Sequence, residues 1–227
     1  MHARPLIRSD QGHASRQEAK ERTRRALLDG ALRLLADQSF SSLSLREVTR
    51  RAAIVPTAFY RHFSSMEELG LALVDESVHT LRQALRAQRA QAQPTGDVIR
   101  RSIAELVRHV HEHPLHFRFI TRERYGGSPA LRDGIRREIQ LFAAELATDL
   151  ARLPHLDGWS TDDLHMVAGL IVNTMVTNAA ALVEAPADRP WIEAEIVRLA
   201  EKQLRLVMLG IPAWRSEAAA SRSTLPA

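Results

Sequence analysis

Apolar residues recur along this chain at intervals of three and four, which is the spacing of one face of an α-helix. The first such stripe contains Leu27, Ala31, Leu34 and Leu35, and it follows residues 1–15, which show no period. No segment alternates apolar and polar residues as a half-buried strand does. The pattern therefore predicts an all-α protein.

Clusters of proline, glycine and serine interrupt the helical pattern at several points along the chain. They leave about nine predicted helices, at residues 16–38, 45–52, 56–62, 66–91, 97–113, 114–124, 129–153, 161–185 and 191–209. Residues 1–15 are expected to form a flexible basic arm, and residues 211–227 are expected to be a disordered tail.

Two of the predicted helices are short and are joined by a tight connection at residues 53–55. Ser44 and Glu47 have the spacing of a capping box at the first of them, and Pro56 suits the first turn of the second. Ser65 and Glu68 repeat the capping-box spacing before the next helix. Such a pair is typical of a helix-turn-helix, whose second helix enters the major groove of DNA.

The outer face of the second short helix carries side chains that suit base edges and phosphates. Arginine pairs with guanine, methyl groups meet thymine, and tyrosine or histidine can form hydrogen bonds with either target. The helix starts at Ser44 and Ser65 offer amides and hydroxyls to phosphates. The predicted reading face consists of Thr57, Ala58, Tyr60, Arg61 and His62.

The charge is concentrated at one end of the chain, which carries +4 overall. Residues 1–65 contain 12 Lys or Arg against 6 Asp or Glu, whereas the remainder contains 19 against 21. This asymmetry favours a polyanionic partner for the N-terminal third, although a solvated basic face would have the same composition.

Several classes of protein are disfavoured by composition. The chain has no cysteine, which excludes disulfides and thiolate metal sites and fits a cytoplasmic location. No apolar segment opens the chain as a secretory signal would. The most apolar window, residues 164–183, contains several polar residues, so we expect a buried or dimer-forming helix and no membrane span.

A longer run, residues 23–69, resembles the DNA-binding domain of the TetR family, most specifically in Tyr60-Arg61-His62-Phe63 followed by Glu67-Glu68-Leu69. The family has Gly where this chain has Ala53, and often Lys where it has Met66. The resemblance implies a helix-turn-helix domain at residues 16–65 and a ligand-binding and dimerisation domain at residues 66–210. It also implies a DNA-binding set of Ser44, Leu45, Arg46, Thr57, Ala58, Tyr60, Arg61, His62 and Ser65.

Segments farther along, among them Phe117-Arg118, Arg122-Glu123-Arg124 and Arg137-Glu138-Ile139-Gln140, resemble the FabR/DesT subgroup of fatty-acid-biosynthesis repressors. This resemblance implies a homodimeric repressor that binds palindromic operator DNA. It also implies that the repressor responds to a long-chain acyl-CoA or another acyl thioester. No other cofactor is implied. The alternative within the family is a sensor of multiple drugs that controls an efflux gene, for which Glu105, Glu138 and Glu145 are available acids.

An acyl chain needs an apolar tunnel between helices, and the CoA phosphates need cations such as Arg118 and Arg122. Each apolar candidate can equally be plain core, and Arg122-Glu123-Arg124 can be an internal ion-pair cluster. The candidate ligand residues are Leu106, Val110, Phe117, Arg118, Ile120, Arg122, Phe142, Leu146, Val167, Ile171 and Met175. The apolar stripes of residues 161–185 and 191–209 suit either a dimer interface or an internal core.

Two other kinds of site receive less support from the pattern. His109, His113 and His116 fall on one helical face, but Pro114 is expected to break the helix, so no metal site is predicted. No catalytic constellation stands out, and the chain is predicted not to be an enzyme. The alternatives of another class are an enzyme built on a helical bundle and an architectural DNA binder without operator preference.

Overall fold

The computed structural model describes residues 10–91 and 97–216, and these residues contain nine α-helices and no strand, as predicted. Short 3-10 turns follow the first, seventh and ninth helices. The helices are α1 (Asp10–Leu34), α2 (Leu45–Arg51), α3 (Pro56–Phe59), α4 (Met66–Gln91), α5 (Asp97–Glu112), α6 (Pro114–Glu123), α7 (Pro129–Leu150), α8 (Thr161–Glu184) and α9 (Pro190–Gly210).

Two helix ends differ from the prediction. Helix α1 begins at Asp10 instead of Arg16, so residues 10–15 of the expected arm are helical, while residues 1–9 lie outside the described part of the chain. Helix α3 ends at Phe59 because the following residues tighten into a turn, in which the amide of His62 donates to the carbonyl of Phe59 at 2.9 Å. This turn returns Phe63 to the core.

The helix-turn-helix and part of the C-terminal helices share one hydrophobic core. Helix α4 leads out of this core into the body, and Gly70 on it allows close packing, because a Cβ there would lie 2.6 Å from the ring of Phe40. The N-terminal region, residues 10–65, is called the head below, and α4 to α9 the body. The head contributes Leu27, Ala31, Leu35, Val48, Phe59 and Phe63, and the body contributes Phe119, Leu131 and Ile135.

The body contains two further apolar clusters. The first lies among α5, α6, α8 and α9, and the second joins α7 and α8 to the end of α9. Helix α8 packs along both α7 and α9, and Ile171 on α8 touches both clusters. On the inner side of α8, the side-chain Nδ2 of Asn178 donates to Oε1 of Gln203 at 2.9 Å, and this hydrogen bond fixes the register between α8 and α9.

Helix α8 is long and apolar enough to cross a membrane by length and composition, with a mean hydropathy of 1.7 over its most apolar window. In the fold, 39% of that window is buried against other helices. Its exposed face includes the polar residues Asn173 and Thr177. Packing against other helices therefore accounts for part of its apolar composition.

The prediction of a disordered tail from residue 211 is wrong for residues 211–216. Ile211 is buried in the cluster of α7 and α8, and the hydroxyl of Ser216 donates to Asp163 Oδ2 at 2.5 Å. The same hydroxyl accepts from the amide of Ser160 at 2.7 Å, and the indole of Trp214 donates to Asp163 Oδ1. This segment is ordered because it satisfies polar groups at the start of α8, and residues 217–227 lie outside the described part.

Candidate nucleic-acid interface

The start of α2 has the predicted capping box. The hydroxyl of Ser44 accepts from the amide of Glu47 at 3.3 Å, and the carboxylate of Glu47 accepts from the Ser44 amide at 2.9 Å and its hydroxyl at 2.6 Å. These hydrogen bonds from Ser44 lower the pKa of Glu47. The hydroxyl proton of Ser44 is therefore already engaged, which leaves oxygen lone pairs and not a free donor at this position.

The second capping box is displaced by one residue from its predicted place. Ser65 caps α4 as expected, because its hydroxyl accepts from the amide of Glu68 at 3.1 Å. The Glu68 carboxylate, however, accepts from the amide and the hydroxyl of Ser64, both at 2.6 Å, and these bonds lower its pKa. Ser64 thus takes the reciprocal role because it supplies both donors next to the N-cap.

The connection between α2 and α3 turns through Ala53, whose φ is 57°. It is the only non-glycine residue with positive φ in the described part of the chain. This left-handed conformation costs an alanine about 1–2 kcal/mol relative to the right-handed region. The amide of Ile54 closes the turn by donating to the carbonyl of Thr49 at 2.9 Å. The turn of the helix-turn-helix therefore forms although the usual glycine is absent.

The outer surface of α3 and of the turn after it, residues 57–62, is called the recognition face below, and most of it is exposed as the sequence predicted. Thr57, Tyr60 and Arg61 point outward, and 63% of Tyr60 is exposed, whereas Phe59 beneath them is fully buried. The rings of Phe59 and Tyr60 pack edge to face, with their centroids 5.5 Å apart. The buried Phe59 therefore anchors the exposed Tyr60 to the head.

Other members of the predicted set differ in how far they are displayed. Arg46 and Ser65 are exposed, and Ala58 is half-buried. Leu45 is half-buried and packs against the core that the head shares with the body. Val55, which the sequence pattern did not single out, is 64% exposed directly before Pro56. Its position as the N-cap of α3 was the available signal.

His62 occupies the inner edge of this face. It is half-buried, and its Nδ1 is buried without a hydrogen-bond partner. Burial lowers its pKa, and the neighbouring cations Lys20, Arg24 and Arg61 lower it further. The guanidinium of Arg24 also lies over the Phe63 ring, 4.5 Å from its centroid. Helix α1 therefore adds positive charge beside the recognition face.

The end of α6 is fastened to the end of α1. The guanidinium of Arg122 donates to the carbonyls of Leu35 at 3.1 Å and Gln38 at 3.0 Å. Next to it, Glu123 is only 1% exposed and accepts from the amide of Phe40 at 2.9 Å, while its second oxygen is buried without a partner. These contacts are called the α1–α6 junction below.

The junction changes the interpretation of the arginine-rich segment. Arg122 was predicted to hold a CoA phosphate or to join an internal ion-pair cluster, but its guanidinium is engaged with backbone carbonyls of the head. The guanidinium of Arg124 lies over the Tyr125 ring, 5.5 Å from its centroid. Arg118 is exposed on α6. The sequence could not show this, because a carbonyl at a helix end leaves no pattern of residue types.

The predicted apolar ligand residues divide between the two clusters of the body. Leu106, Val110, Phe117 and Met175 lie in the first cluster, and Ile171 touches both. Ile120 is the exception, because it packs against the core that the head shares with the body. The second cluster or its margin contains Phe142, Leu146 and Val167.

The acidic residues considered for a cationic drug already have cationic partners. Arg82 pairs with Glu138 at 2.8 Å and with Glu145 at 3.7 Å. Glu105, which is nearly buried, pairs with Arg108 on the same helix. Glu145 is the least satisfied of the three, because its Oε2 is buried without a hydrogen-bond partner.

A small cavity of about 130 Å³ lies where α1, α4, α5 and α6 meet. Burial, followed by the effect of His113, lowers the pKa of His116 to about 4 and also lowers that of His109. Burial raises the pKa of Glu76, which pairs with Arg25 at 2.9 Å. The lining residues are Arg25, Glu76, Ser77, His109, His113 and His116.

Comparisons with known proteins agree with this geometry. Residues 27–73 match the family model described as bacterial regulatory proteins, tetR family. Among solved structures, the fatty acid degradation regulator FadR from Bacillus halodurans superposes with a TM-score of 0.64 at 12% identity, covering 83% of this chain and 95% of that one.

Two other solved structures are similar over a comparable length. SCO4454, a TetR-family transcriptional regulator from Streptomyces coelicolor, has a TM-score of 0.61 at 22% identity, with 82% of this chain and 96% of that chain covered. GusR from Salmonella enterica has a TM-score of 0.60 at 19% identity, with 81% and 95% covered. The match at residues 27–73 spans α2, α3 and the start of α4, within a chain whose fold is TetR-like.

Proposed function

We propose that this protein is a dimeric transcriptional repressor that binds a palindromic operator with one helix-turn-helix from each subunit. The observation that carries the proposal is the recognition face, where Thr57, Tyr60 and Arg61 are exposed over a firmly packed core. Such side chains read bases and contact phosphates when their helix enters the major groove. The basic surroundings from α1 add a sequence-independent attraction to DNA.

The second subunit is expected to pack on α8 and α9. Met166 and Leu170 are exposed on α8, and Leu170 is 51% exposed. Large apolar side chains exposed in rows on adjacent helices are typical of a protein–protein contact, and a homodimer would bury the same face of both copies. On α9 the exposed apolar residues are Leu199, Leu206 and Leu209.

A two-fold dimer explains how two short helices achieve specificity. Two recognition helices set one DNA turn apart, at about 34–36 Å, would read the two halves of a palindrome. Each half-site then adds to the affinity, since both heads belong to one rigid particle.

Arg61→Ala is expected to weaken operator binding by about 5-fold to 150-fold while weakening binding to random DNA much less. This follows because a bidentate arginine–guanine contact contributes about 1–3 kcal/mol of discrimination. The measurement is a gel-shift titration with the promoter flanking the gene of this protein and with random DNA of equal length. Arg136→Ala, an exposed arginine on α7, serves as the matched control. Equal losses on both DNAs would make Arg61 a phosphate contact.

We further propose that the regulatory ligand is a long-chain acyl-CoA or a related acyl thioester bound among the helices of the body. The two apolar clusters that meet at Ile171 would part to admit the chain, and exposed Arg118 would meet the CoA phosphates. The resemblance to fatty-acid-biosynthesis repressors supports this choice, and FadR, a regulator of fatty acid degradation, is among the proteins of similar fold. The controlled genes would be those of unsaturated fatty-acid synthesis or desaturation.

The α1–α6 junction would transmit a movement caused by the ligand to the DNA-binding head. A chain inserted beside Phe117 on α6 would displace that helix, and Arg122 and Glu123 at its end would move α1 with it. The spacing of the two recognition helices would then change, and DNA affinity would follow the difference in ligand affinity between the two states.

Addition of a long-chain acyl-CoA is expected to change operator affinity by about 5-fold to 150-fold, because typical coupling free energies are about 1–3 kcal/mol. The measurement is the same gel-shift with saturated and unsaturated acyl-CoAs added separately, and with free CoA as the control. An Ile171→Trp variant, which fills the space between the clusters, should lose the response and keep operator binding. An unchanged affinity with every acyl-CoA would refute the ligand while leaving the repressor proposal intact.

A further inference from the structure

We infer that the chain has a binding site for one Zn²⁺ ion at the corner between α5 and α6, formed by His109, Glu112 and His113. One potential ligand atom from each of these residues lies within 4.8 Å of the other two. The inference does not rest on the proposed DNA binding or on the proposed acyl ligand.

Pro114 breaks the helix at this corner as the sequence predicted, because α5 ends at Glu112 and α6 opens on Pro114. The amide of His113 nevertheless donates to the carbonyl of His109 at 3.0 Å, so the break does not separate these two histidines. His113 itself leaves the helical conformation, with φ −130° and ψ 50°, and is the N-cap of α6, whose first residue is Pro114. The ring centroids of His109 and His113 are 4.6 Å apart.

The arrangement suits zinc in ligand type and spacing. His109 and Glu112 share one face of α5, and the hydrogen bond from the His113 amide to the His109 carbonyl keeps His113 beside them. Two histidines with one carboxylate are a common zinc ligand set. Ligand bonds of about 2.0–2.1 Å around a tetrahedral ion place donor atoms about 3.3–3.5 Å apart. The donor atoms would have to approach one another by up to about 1.5 Å, which rotation of the exposed Glu112 and half-buried His113 side chains allows.

The carboxylate of Glu112 is bound by Arg108, which also binds a second carboxylate. Arg108 donates to both of its oxygens, at 2.7 and 2.6 Å. The same guanidinium is also bound to nearly buried Glu105. When Glu112 turns to the metal, Arg108 keeps Glu105 as its partner, so no charge is left without compensation.

Two of the three proposed ligands, His109 and His113, also line the cavity of about 130 Å³, together with His116. The hydroxyl of Ser77 lies 2.6 Å from the carbonyl of Leu73 and 2.8 Å from Nδ1 of His116. When its proton goes to the carbonyl, Nδ1 of His116 is the donor and the lone pair of the ring lies on Nε2. Its ring centroid is 5.9 Å from that of His113.

The test is calorimetric titration of ZnCl₂ into the full-length, untagged protein after removal of metals with EDTA. We expect one Zn²⁺ per chain and a rise in the temperature of unfolding with zinc. His113→Ala and Glu112→Gln should each lower the affinity by about 100-fold or more. His111→Ala is the matched control, because it removes a histidine from the same helix that pairs with Glu193 instead.

The other outcomes are equally informative. Substitution of Co²⁺ should give the visible absorption of a tetrahedral site in the wild type and not in His113→Ala. Binding that His111→Ala weakens as much as His113→Ala, a stoichiometry well below one per chain, or no heat at all would overturn the site. Because these substitutions avoid the buried ring of His109, circular dichroism can verify that each variant is folded.

Discussion

A Leu206→Glu variant is expected to be monomeric and to lose operator affinity by about 100-fold or more. Leu206 is 72% exposed on the apolar face of α9, so the change costs little within one subunit. A carboxylate placed in an apolar contact between two copies must lose water without gaining a partner. Linked binding of two heads typically adds about 10²–10⁴ to affinity, and this contribution disappears with the dimer.

The measurements are light scattering for the mass in solution and gel-shift titration for the operator. Leu141→Glu is the matched control, since it alters another half-exposed leucine on α7 away from the proposed contact. A Leu206→Glu protein that remains dimeric, or a monomer that binds the full palindrome as tightly as the wild type, would contradict the proposed assembly.

A Glu123→Ala variant is expected to lose about 2–4 kcal/mol of the free energy of unfolding. The change removes the acceptor of the Phe40 amide at a site where no solvent can replace it, and it leaves a cavity in a packed region. For a chain of this length the temperature of unfolding should fall by about 5–15 °C, measured by calorimetry.

Glu123→Gln separates the hydrogen bond from the charge. The amide oxygen can still accept from Phe40, so we expect a loss below about 1 kcal/mol. Loss of stability in Glu123→Gln as large as in Glu123→Ala would mean that the charge, and not the acceptor, matters at the α1–α6 junction. Arg124→Ala, on the neighbouring residue, should leave stability nearly unchanged.

Local patterns predicted most of the fold because most of its signals are local. Proline, capping serines and the period of the apolar residues lie within one turn of the helix ends that they specify. Errors arose where the determinant was distant in sequence. Ser216 is ordered by Ser160 and Asp163, and no feature of the last residues alone reveals that contact.

The same distinction applies to the candidate site. Tyr60 and Arg61 were predicted from a short motif, and the structure displays both. Arg122 could not be placed correctly, because its partners are carbonyl oxygens more than eighty positions earlier in the chain. Residue types predict side-chain chemistry well, but they say little about a backbone group that becomes available only in the folded chain.

The core that the head shares with the body determines how regulators of this architecture can be recombined. A chimera joined at residue 65 would transplant the motif but leave Phe119, Leu131 and Ile135 facing a foreign surface. The donor head would also lack the ring of Phe40 in the position where Gly70 now admits it. A working exchange of operator specificity therefore has to graft only the outward residues of α3, or carry the adjoining parts of α4, α6 and α7 along with the head.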